Sequence, residues 1–121
     1  MLKLRVRNLS RDSLLATEAD IADTSKKRRV GLLKHQSLDP GQGLWIAPCE
    51  AIHTFGMKFP IDVVFMDRKK KVMKVRENMC RGRMTLCLWA HSVLELPVGA
   101  IAGSQTQPGD ELEFEEYDGK T

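Results

Sequence analysis

The chain has 121 residues, of which 42% are hydrophobic and 29% charged, with a net charge of +3. That length suits one domain with one core, and the composition excludes the disordered and membrane-spanning classes. The small basic excess, split between Lys26-Lys27-Arg28-Arg29 and Arg68-Lys69-Lys70-Lys71, argues against a nucleic-acid binder, and Arg81-Gly82-Arg83 has no aromatic stacking platform beside it.

Leu2 to Asn8 alternates apolar and basic residues, which predicts a half-buried strand near an edge. No apolar run of signal-peptide length follows, and no segment is long enough to span a bilayer. With an odd cysteine count (Cys49, Cys80 and Cys87), no complete disulfide framework can form, so a cytoplasmic protein with reduced thiols and no membrane partner is expected. Residues 13–23 fit either one bulged strand or two short ones. Thr24 or Ser25 can cap a helix running to about His35, with Val30, Leu32 and Leu33 as its apolar stripe. The basic run in its first turn opposes the helix dipole, so packing rather than propensity must hold it.

Asp39-Pro40-Gly41-Gln42-Gly43 is a turn, and Leu44 to Ala47 reads as a strand. Residues 52–59 form an extended or looping segment closed by Pro60. Ile61 to Met66 is β-branched and apolar on both faces, which predicts a central strand. Asp67 to Lys70 turns the chain into a strand over Val72–Asn78, with Met73 and Val75 on one face and Val72 and Lys74 on the other. Further strands are expected over residues 83–88, 92–96 and 111–115, with a short turn or helical piece at 99–104 and a Pro108-Gly109 turn. Many short strands and one helix predict a β-sandwich or a barrel.

Ile52-His53-Thr54-Phe55-Gly56-Met57-Lys58-Phe59-Pro60-Ile61-Asp62-Val63-Val64-Phe65-Met66-Asp67 resembles the signature of a bacterial and archaeal family, domain of unknown function 192. Arg29-Val30-Gly31-Leu32-Leu33 is similar to the family's Arg-x-x-Gly-Leu-Met region, with Leu33 for Met and a different spacing. Val93 to Pro97 with Gly99, and Pro108-Gly109-Asp110, resemble its later strand and last turn. The resemblance implies a compact, mainly β fold of sandwich or jelly-roll type. It implies no reaction.

Asp62 stands out because its strand is otherwise apolar, and a buried carboxylate is costly unless paired or hydrogen-bonded. It is either a structural acceptor for backbone N–H groups or a site carboxylate. His53, Thr54 and Lys58 are its nearest polar neighbours in sequence, and all converge only if Gly56 breaks the strand. Glu95, also within an apolar strand, could join Asp62 as an acid/base pair. Cys49-x-x-x-His53 and Cys87-x-x-x-His91 share one spacing, and two such pairs could form a tetrahedral zinc site. The plainer reading of Cys49 and Cys87 is as small core hydrophobes.

The sequence therefore predicts a mainly β, single-domain fold over residues 1–121. It is a β-sandwich or jelly-roll-like, or a barrel, with one short covering helix near residues 25–35. The leading functional expectation is a monomeric binding module for a small molecule or peptide, with a polar pocket from His53, Thr54, Lys58, Asp62 and Glu95, and no cofactor. The alternatives are a hydrolase-like enzyme using Asp62 with His53 or Glu95, and a structural protein held by zinc on Cys49, His53, Cys87 and His91.

Overall fold

Nine strands and two short helices make up the described residues, 1–119, of the computed structural model. The strands are β1 (Leu2–Asn8), β2 (Ser13–Ala22), β3 (Gln42–Ile46), β4 (Ala51–His53), β5 (Ile61–Met66), β6 (Val72–Met79), β7 (Met84–Leu86), β8 (Ser92–Leu96) and β9 (Leu112–Asp118). The helices are α1 (Ser25–Val30) and α2 (Ala100–Ser104). Seven strands form one sheet in the order β6-β5-β8-β3-β2-β1-β9, and β4 pairs with β7 in a separate two-stranded sheet. All neighbours in the large sheet are antiparallel except β2 and β3. A parallel pair needs a crossover, and α1 lies in it.

The large sheet curls. At one end its two edge strands meet at a bridge between Lys71 and Glu111, reinforced by Val72 N–H to Asp110 O (2.8 Å) and Leu112 N–H to Lys70 O (2.9 Å). Beyond that bridge β6 and β9 part, so the barrel expected as one alternative is not closed. The sheet divides the core in two. Val64, Met66, Leu94 and Leu96 pack inside the curl with Leu4, Val6 and Leu112. Ile61, Val63, Phe65 and Val93 pack on the outer face with Leu44, Ile46, Ile52 and Met57. All six residues of β5 are buried, as its two-sided apolar sequence predicts. Full burial of each large apolar side chain is worth about 1.5–3 kcal/mol, which makes this strand the axis of both clusters.

Several boundaries differ from expectation for identifiable reasons. Residues 13–22 are one strand, and the bulge expected there lies in its pairing with β1. Helix α1 stops at Val30 instead of His35, because Gly31 takes φ +49° and its N–H closes on Lys27 O. Thr24 does cap it, accepting from Lys27 N–H at 3.2 Å. Leu32 reaches the outer cluster from the turn after the helix. The expected face division of β6 also changes. A register shift between Phe65 opposite Lys74 and Met66 opposite Val72 makes Met73 an extra residue, so Val72 and Val75 both join the inner cluster while Met73 joins the outer one. The piece at 99–104 is helical, so there are two covering helices, the second packed on β2 and β6.

Candidate functional site

Asp62 is fully buried and points into the curl. Its Oδ1 accepts from Asn78 N–H (2.8 Å), and its Oδ2 accepts from Gly99 N–H (3.1 Å) and Ile101 N–H (3.0 Å). Asn78 lies at φ +49°, in a second register shift of the β5–β6 ladder, between Ile61 opposite Met79 and Val63 opposite Arg76. The carboxylate thus fastens a bulge on one side and the start of α2 on the other. Its charge is distributed over backbone donors, the arrangement that makes a buried carboxylate affordable.

The register of β5 and β8 places Asp62 opposite Leu96 and Val63 opposite Glu95. Side chains alternate along a strand, so Asp62 and Glu95 project from opposite faces of the sheet. The two carboxyls do not form an acid/base pair, and His53, which lies with Glu95 on the outer face, is likewise across the sheet from Asp62.

On that outer face lies a cleft of about 400 Å³. One wall is Arg28–Leu33 from α1 and its turn. The other runs from Ile46 past the cis Ala47–Pro48 peptide to Cys49, then along β4 to His53, with Met57 beyond. Glu95 forms the buried floor, 4% exposed, and among the described residues its carboxyl has no hydrogen-bond or ionic partner. Burial alone raises its pKa to about 8, so at neutral pH it is predominantly protonated. Arg28 stretches across the rim and donates to Ala47 O (3.5 Å) and Asp23 O (3.4 Å); Arg29 is exposed. Cys49 is half-buried, and its Sγ donates to Ala51 O (3.1 Å). Burial pushes its thiol pKa up, opposed by the Ala51 backbone N–H and by Arg28, while the Glu95 carboxyl adds to the rise.

The five polar residues picked from the sequence are therefore divided. Glu95 and His53 line the cleft, and His53 stacks on Phe55 with ring centroids 5.3 Å apart. Gly56 does break the extended chain, at φ +81°, but the break does not bring the others to Asp62. Thr54 is buried, donating to Cys80 O (2.6 Å) and accepting from Arg83 N–H (2.9 Å), so it ties its turn to the 80–83 loop. Lys58 is exposed and lies outside the cleft.

The proposed zinc ligands are not assembled either. His91 turns its ring toward Trp45 (centroids 6.3 Å), while Cys49 and His53 engage Ala51 O and Phe55. Among the described residues no three His, Cys, Asp or Glu side chains are placed to hold a metal ion. Equal spacing in sequence was the signal, but one Cys-x-x-x-His segment enters a short strand of the small sheet and the other leaves β7 for a turn, so the side chains diverge.

The residues missed by sequence reasoning are Arg28 and Arg29, read only as a charged helix turn, and Met57. Their sequence signals were the Arg29-Val30-Gly31-Leu32-Leu33 resemblance, whose glycine ends α1, and, for Met57, the Ile52–Asp67 resemblance.

Comparison with known proteins agrees with this description. The chain is 28% identical over 113 residues to a UPF0127 protein of Thermococcus sibiricus, covering 89% of this chain and 73% of that one. A crystal structure of a protein of unknown function from Novosphingobium aromaticivorans superposes with a TM-score of 0.79 at 21% identity, covering 92% of this chain and 83% of that one. A protein of Sinorhizobium meliloti, provisionally described as a transcription regulator, superposes with a TM-score of 0.82 at 20% identity, covering 94% of each chain. At these identities the two structures speak for the fold alone. Among the described residues no helix is long and apolar enough to cross a membrane. Residues 6–114 match the profile of the DUF192 family, described as an uncharacterized ACR, and the chain belongs to that family, whose biochemical role is unassigned.

Proposed function

We propose that this chain is a single-domain, monomeric binding protein of the cytoplasm. Its outer cleft takes a small amphoteric ligand, either free or as the end of a peptide. The observation that carries this reading is Glu95: a buried carboxyl with no partner among the described residues, at the floor of a cleft. A lone buried acid is a standing cost of a kind that sites retain and cores eliminate. A ligand ammonium or other donor would supply the missing partner. A carboxylate or phosphate at the ligand's other end would meet Arg28 and Arg29 at the rim. The apolar lining from Ile46, Ile52 and Met57 would cover its middle.

Binding is favoured over hydrolysis for two reasons. Asp62 lies across the sheet from both His53 and Glu95. The Cys49 thiol, its pKa raised, is a poor nucleophile because only the thiolate attacks.

The test is a thermal-shift and calorimetric screen of amino acids, dipeptides, diamines and dicarboxylates against the wild type and Glu95→Gln. Ligands with an amine at one end and an anion at the other are expected to bind and to lose affinity in Glu95→Gln. Hits that bind Glu95→Gln equally well would sink the assignment of the floor.

A further inference from the structure

We propose that the two-stranded sheet β4–β7 and the turn after it dock this protein on an anionic phospholipid surface. The outer side of this flap is apolar and open. Met84 (58% exposed) and Leu86 (48%) lie on it, Phe55 (50%) is exposed beyond one end, and Leu88 (64%) and Trp89 (86%) are exposed in the turn at the other, while the alternate residues Ile52 and Thr85 face inward. The pairing of His53 with Met84 and Ala51 with Leu86 sets these side chains on one face, and Phe55 extends it through its stack with His53. Contiguous exposed apolar surface of this kind marks a docking site more often than isolated exposed residues do. Trp89 is held at φ +72°, costly for a bulky residue, with its backbone N–H donating to the Glu50 carboxylate. The fold thus fixes an indole outward rather than burying it.

The charges choose the occupant. Residues 51–61 and 78–94 contain no Asp or Glu, whereas Lys58, Arg81 and Arg83 are exposed in them. The 81–83 loop is anchored beside Phe55 by Gly82 N–H to Thr54 O (3.2 Å) and Arg83 N–H to Thr54 Oγ1 (2.9 Å). Lys74 adds a fourth cation, its Nζ reaching Leu86 O at 2.8 Å. Glu50 and Glu77 flank these segments, and Glu50 is engaged by the Trp89 N–H. A second copy docked face to face would set these cations against their own symmetry mates, which is repulsive. A polypeptide partner would look for hydrogen bonds to fix its register, yet the outer row Ala51, His53, Met84, Leu86 offers only one polar side chain. A lipid surface needs no register. Apolar and indole groups enter the headgroup boundary while Lys and Arg meet anionic headgroups. Docking of this kind is peripheral and needs no membrane-spanning helix.

The test is flotation of the full chain with vesicles of phosphatidylcholine alone or with about 30% phosphatidylserine, which supplies the negative surface potential. Binding is expected to the phosphatidylserine vesicles, weaker at high salt, with a blue shift of tryptophan emission that Trp89→Asn abolishes. Asn tolerates positive φ, so that variant keeps the turn. Leu88→Ser is expected to weaken binding about tenfold. Arg81→Gln and Arg83→Gln are each expected to weaken it about fivefold. Unchanged circular dichroism spectra verify that the variants fold. The proposal is overturned by absence of flotation with phosphatidylserine vesicles, or by flotation unaltered in the Leu88→Ser, Trp89→Asn double variant. It is equally overturned if the flap binds polyglutamate but not vesicles, or if it only self-associates in sedimentation velocity.

Discussion

Asp62 and Glu95 occupy neighbouring rungs of the same ladder, Asp62 opposite Leu96 and Glu95 opposite Val63, yet they leave the sheet on opposite faces. Both are buried, and their circumstances are otherwise reversed. Asp62 receives three backbone N–H groups, and Glu95 receives none among the described residues. The first carboxylate therefore belongs to the architecture. The second is left over by it, which is why the functional reading rests on Glu95.

Replacing Asp62 should cost stability whatever ligand the cleft holds. Asp62→Ala strands the N–H groups of Asn78, Gly99 and Ile101 in a buried site. Each unsatisfied donor costs about 1–3 kcal/mol, so a loss of several kcal/mol is expected in urea unfolding. Asp62→Asn should recover only part of it, because its NH₂ group would face a donor. A variant as stable as wild type would show that these bonds contribute little.

Glu95 should reverse the usual pH dependence of an acid. Its folded pKa, about 8, lies above the ordinary value of 4.5. The folded state then holds a proton that the unfolded state has released. The stabilisation is fully present below about pH 4.5 and is lost progressively as pH rises through about 8. Glu95→Gln is expected to remove this slope and to exceed wild type in melting temperature at pH 8, while matching it more closely near pH 5. Identical pH profiles for the two proteins would mean that the carboxyl is solvated.

The strands were legible in the sequence wherever their pattern was unambiguous. The two-sided apolar run at Ile61–Met66 and the alternation at Leu2–Asn8 each gave the right element within a residue. The bulges in β6 were not legible, because an extra residue such as Met73 leaves no local mark and shows only in the partner's register. The same limit governed the site. Asp62 and Glu95 both looked like buried acids, but their faces depend on how β5 pairs with β8, a contact between residues more than thirty apart in sequence. Arg28 and Arg29 line the cleft from α1 beside β4 residues that follow them by more than twenty positions, a contact that local sequence does not show.

Thr54 ties the turn after β4 to the 80–83 loop before β7, so its loss should be local. Thr54→Val keeps the shape but removes the bond to Cys80 O and the acceptor for Arg83 N–H. The expected cost is about 1–3 kcal/mol for the stranded donor. Hydrogen exchange should quicken across residues 80–86 and stay near wild type in β5 and β8. Uniform acceleration throughout the chain would show that the flap does not open independently.

Gly43 offers a test of the β3–β8 contact that holds Glu95 in place. The residue is buried in β3, and a Cβ there would lie 2.9 Å from Glu95 O and 3.1 Å from Leu96 Cδ2. Leu96 could shift its methyl, but the Glu95 carbonyl belongs to a strand paired on both sides and has little room to retreat. Gly43→Ala should therefore cost about 1–3 kcal/mol through overpacking, although alanine lowers the entropy of the unfolded chain. Because Glu95 lies directly on the displaced strand, the same variant should weaken ligand binding in the cleft, whereas Gly103→Ala, where a Cβ meets nothing within 4 Å, should leave it unchanged. A Gly43→Ala protein with wild-type stability and affinity would show that β3 and β8 separate easily, and that Glu95 is not rigidly placed.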